Sequence, residues 1–111
     1  MPYKVMVDDN FHVGDENERS EYGTFSTAAE ALEACRAVVD DSLLWEYVEG
    51  ATAKQLYDRY ADFGDNPFVV ALGGAPKVEF SAAKYARQRA LEINAPGEEG
   101  ARLRQTLQER K

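Results

Sequence analysis

The chain of 111 residues holds one cysteine, one histidine and one tryptophan. A lone Cys35 closes no intrachain disulfide, which excludes a disulfide-stapled secreted fold. Cys35 and His12 together cannot fill the four positions of a Cys/His zinc site. Long apolar runs are missing too. A membrane-crossing helix needs about 20 mostly apolar residues, whereas the uncharged run Pro67–Pro76 spans ten residues and includes Gly73 and Gly74. The opening MPYKVMVDD lacks the apolar stretch of about 7–15 residues that marks a secretory signal. A cytoplasmic location with no membrane partner is therefore expected. Phosphate loops of the G-x-x-x-x-G-K-[ST] or G-x-G-x-x-G type are absent, and no cofactor is expected.

Basic residues are scarce: 13 Lys plus Arg stand against 20 Asp plus Glu, a net charge of −7. The imbalance is uneven. Residues 1–83 carry 16 acids and 6 bases, and residues 84–111 carry 4 acids and 7 bases. An acidic body repels nucleic acid, so such a partner would have to be met by the basic end alone. The basic and aromatic residues are not interleaved on one strand face, as a stacking platform requires.

What is present is ordinary for one small domain, with 44% hydrophobic residues and 11% aromatics. In YKVMVDDNFHV at 3–13, Tyr3, Val5, Val7 and Phe11 fall on one face at period two, interrupted by Asp9. That alternation predicts a half-buried strand. A polar acidic connection at 14–20 leads to a second strand at Tyr22–Phe25, antiparallel because the connection is too short for a crossover. Thr27-Ala-Ala-Glu30 has capping-box spacing and opens a helix whose apolar stripe is Leu32, Cys35, Val39 and Leu43. Thr52-Ala-Lys-Gln55 repeats the signal before a helix with Leu56, Tyr57, Tyr60 and Phe63 on one face, stopped at Gly64. Asp65-Asn66-Pro67 reads as a turn. Phe68–Leu72 reads as a central strand, with Val78 and Phe80 as a short edge extension. Ser81 caps a helix to about Asn94, with Ala82, Tyr85, Ala86, Arg89, Ala90 and Ile93 on one face, and Pro96-Gly97 breaks it.

The expected fold is α+β: a two-layer ββααβα domain over residues 1–95, with a small antiparallel sheet of about three strands covered by helices on one face. Residues 96–111 form a basic tail, either mobile or a docked helix. With Leu103 and Leu107 as its only leucines, it is marginal as an isolated helix.

Several features resemble a family of small uncharacterised bacterial proteins. They are VDDNFH at 7–12, Phe25 before Thr27-Ala-Ala-Glu30-Ala31-Leu32, Cys35-Arg36, Val39-Asp40, Leu56-Tyr57, Phe63-Gly64, Pro67-Phe68 and Phe80-Ser81 before Tyr85-Ala86. The likeness covers roughly residues 3–90. It implies a bacterial cytosolic protein, and it carries over neither an activity nor functional residues.

Asp8, Asp9, Asn10 and His12 are the candidate ligand site, since these side chains can accept protons or metals. Alternate strand residues lie about 6.5–7 Å apart, so Asp8, Asn10 and His12 span about 13 Å, too far for one ion on a straight strand. The calcium-loop pattern fails because Val13 occupies its glycine position. The plainer reading has Asp8 and Asn10 bonding backbone at the strand end. Ser81-x-x-Lys84 matches a serine–lysine pair but lacks companion motifs, and reads as a helix cap. Cys35 on an apolar stripe reads as core rather than nucleophile.

Trp45, Tyr57, Tyr60 and Phe63 can serve as core or as a contact surface. With Arg102 and Arg104 of the basic tail, Trp45, Tyr57 and Tyr60 form the candidate partner surface. No convergent catalytic set is visible. The favoured expectation is a small interaction module for a protein partner or a second copy of itself. The alternative is a ligand-binding or enzymatic domain at the hairpin end around His12.

Overall fold

A computed structural model describes residues 2–10 and 19–110. Phe11, His12 and the acidic connection through Glu18 lie outside the described residues. The elements are β1 (Tyr3–Asp9), β2 (Ser20–Phe25), α1 (Ala28–Glu46), α2 (Ala53–Phe63), β3 (Asp65–Ala71), α3 (Ala82–Ile93) and α4 (Glu98–Arg110). This is the expected α+β order with the tail as a fourth helix.

The sheet is antiparallel in the order β2-β1-β3, so β1 is its centre. Tyr3, Val5 and Val7 are buried, while Lys4, Met6 and Asp8 between them are only half-buried. The period-two pattern thus sends one face to the helices. In β2 the register slips between Val5 and Met6, leaving Tyr22 as the extra residue of a bulge.

Two expectations about β3 are corrected. It lies at an edge rather than the centre, and it begins at Asp65, so Asp65-Asn66-Pro67 is strand rather than turn. Pro67 faces Val7 and is buried, and its lack of an N–H is tolerated because β3 has no strand neighbour on its far side among the described residues. Val78 and Phe80 extend no strand; they lie in irregular chain and pack against the core.

The helix starts follow the sequence signals. Thr27 Oγ1 accepts from the Glu30 amide at 3.1 Å. The hydroxyl then donates to the Glu30 carboxylate, replacing the expected return bond from the carboxylate to the Thr27 amide. Thr52 and Gln55 form the full reciprocal box. Ser81 Oγ accepts from the Lys84 amide at 3.2 Å.

The core has two parts. Tyr3, Val5, Ala31, Ala34 and Cys35 join the N-terminal half of α1 to the sheet, supported by Phe25, Val69 and Ala71. Val39, Leu43, Leu44 and Tyr47 continue α1 into a cluster with Leu56 and Tyr60 of α2 and Ala82, Ala86, Ala90 and Ile93 of α3. Helix α4 is docked rather than detached. Arg104 Nη1 donates to the Ile93 carbonyl at 2.8 Å and to the Ala95 carbonyl at 3.1 Å. Gly100 is buried where any Cβ would collide with the Ala95 carbonyl. None of the described helices is long and apolar enough to cross a membrane.

Candidate functional site

Two regions carry the residues singled out by sequence. The first is the polar end of β1. Asp8 points to the sheet face away from the helices, where Arg19 Nε donates to its carboxylate at 2.6 Å and the Arg19 guanidinium lies 5.2 Å from the Phe68 ring centre. Asp9 points to the other face and stands in register with Asp65. Asn10 donates through Nδ2 to the Tyr60 carbonyl at 3.0 Å and through its amide to the Gly64 carbonyl at 2.9 Å. Strand alternation therefore separates Asp8 from Asp9, and Asn10 turns back to the α2 terminus. His12 lies outside the described residues.

The surroundings of Asn10 form a latch between layers. The Tyr60 hydroxyl donates to the Asp65 carbonyl at 2.6 Å, and the Asp65 amide donates to Ser42 Oγ at 2.9 Å. These bonds tie α2, β3 and α1 together at one corner. Burial pushes the Tyr60 phenol well above its ordinary pKa. Partial desolvation, and then the facing Asp9, raise the Asp65 carboxyl above its ordinary value, with a Ser42 hydrogen bond opposing them. Among the described residues, no group of three or more His, Cys, Asp and Glu could hold a metal ion.

The second region is the helix surface. Tyr60, expected on the contact surface, is 2% exposed and belongs to the core. It shares a cluster with Leu56 and Ala86, because the 56–60 spacing turns it inward with Leu56. Trp45 is 79% exposed. Tyr57 is half-buried, with the Arg87 guanidinium 5.0 Å from its ring centre. Together with Ala53, Lys54, Asp58 and Leu91 they line a hollow of about 370 Å³ between α2 and α3. Arg102 is exposed on α4, away from these residues in sequence, and Arg104 is engaged by the α3 terminus. Of the five surface residues, Tyr60 is inside and Arg104 holds α4, while Trp45, Tyr57 and Arg102 stand on three different helices.

Cys35 is fully buried, and desolvation lifts its thiol pKa to about 11. At neutral pH it is protonated and shielded, a small core residue. Ser81 spends its hydroxyl on the α3 cap.

Sequence reasoning passed over three features. Val48 and Leu91 are 50% and 60% exposed. For Leu91 the signal was available, because it falls off the Ala82-Ala86-Ala90 face of α3. The third is a polar bridge between α1 and α3. Tyr85 donates its hydroxyl to Asp40 at 3.0 Å, and Arg89 Nε pairs with Asp40 at 3.3 Å. Desolvation, and then Asp40, push Tyr85 up to about 12. Nothing local in the sequence signals a contact so distant along the chain.

Comparison with family models, curated proteins and solved structures found no match.

Proposed function

We propose that the chain is a small protein-interaction module of the bacterial cytosol with no catalysis of its own. The observation that carries this reading is Trp45, the largest side-chain type, held 79% exposed on a well-formed helix. Tryptophan is heavily buried on average and is enriched among the residues that dominate interface energies. Val48, Phe63 and Leu91 add exposed apolar area on the same helical layer. The polar residues that sequence reasoning offered as chemistry support the reading from the other side. Asp8 and Asn10 hold neighbouring chain, Ser81 caps a helix and Cys35 is core. The cytosolic and bacterial part rests on the resemblance spread over residues 3–90.

The test is capture from a lysate of the bacterium that carries the chain, with immobilised full chain, Trp45→Ala and a chain cut after Asn94. A protein held by the full chain and lost by Trp45→Ala is the expected result. An identical catch by all three forms sinks the assignment of the surface.

The second reading is a ligand site at the hairpin end with Asp8, Asp9, Asn10 and His12. What favours it is the Asp9–Asp65 pair, two carboxylates in register with one of them shifted upward. Its test is a thermal-shift screen of small polar compounds on the wild type and His12→Ala. A compound that raises Tm in the wild type alone would establish that site.

A further inference from the structure

We draw no further inference here: the strongest candidate, the hollow between α2 and α3 lined by Ala53, Tyr57, Arg87 and Leu91, carries none because nothing in the structure shows what covers it.

Discussion

The two halves of α1 pack against different things, and their side chains differ accordingly. Toward the sheet the helix offers Ala31, Ala34 and Cys35, small groups that let its backbone approach Tyr3 and Val5 closely. Toward α2 and α3 it offers Val39, Leu43, Leu44 and Tyr47, which fill the wider space where three helices meet. The polar latch of Ser42, Tyr60 and Asn10 belongs to this second half. So do Trp45, Val48, Phe63 and Leu91, four of the five large exposed apolar residues among those described, Tyr22 on β2 being the fifth. The sheet half is thus a scaffold with a modest core. The helical half holds the larger side chains and also the apolar surface left for contact.

The strongest way to break this comparison is to remove mass from each half. Leu56→Ala empties a fully buried site in the helical cluster and is expected to cost about 2–5 kcal/mol. Cys35→Ala deletes one heavy atom from the sheet cluster and should cost about 1 kcal/mol, in the range of a single buried methylene. Urea unfolding of both variants measures the difference. Equal losses would show that the two clusters share the load evenly and that the division is only geometric.

That division was partly legible in the sequence. The helix caps at Thr27, Thr52 and Ser81 were legible because a cap is a local event over four residues. The β1 alternation and the α1 stripe were legible because one side of each element is dry. The β3 assignment failed for a reason of the opposite kind. An apolar run such as Phe68–Leu72 is compatible with a centre or an edge, and only its pairing with β1 alone decides. Pro67 was the available clue, since a proline in a strand favours an edge. The aromatic residues were divided for a similar reason. Tyr57 and Tyr60 are three apart on one helix face, yet the turn carries Tyr60 into the core and leaves Tyr57 at its margin. The candidate site at the β1 end was legible as a set of residue types and illegible as an arrangement, because the partners of Asn10 and Asp65 are Tyr60 and Ser42, distant in sequence.

A finer probe is the latch itself. Tyr60→Phe keeps the ring that fills the helical cluster and removes only the hydroxyl that donates to the Asp65 carbonyl. The expected loss is about 1–2 kcal/mol, a hydrogen bond together with a partly buried carbonyl left without its donor. Hydrogen exchange should locate the change at Asn10 and Asp65 rather than at β2, which the latch does not touch. Protection lost evenly across the sheet would mean that the corner couples the halves rather than belonging to one.

The smallest effect tests the electrostatics of that corner. The Asp65 carboxyl has its pKa raised above 3.8 by desolvation first and by the facing Asp9 second. The folded chain therefore holds this proton more tightly than the unfolded chain does, and stability falls as pH rises from 3.8 through the raised value. Above that window the ionised carboxylate is a standing cost. Asp65→Asn removes the charge and keeps the two main-chain bonds of residue 65, from the Tyr60 hydroxyl and to Ser42 Oγ. Relative to the wild type, the variant should gain stability as pH rises through the window and hold that gain at neutral pH. Below pH 3.8, where both side chains are neutral, the pH-dependent part of the difference should vanish. Urea unfolding at several pH values reads this directly. A variant that loses ground as pH rises would mean that the carboxylate accepts from Ser42 strongly enough to outweigh Asp9, and the corner would then be stabilised by its charge rather than in spite of it.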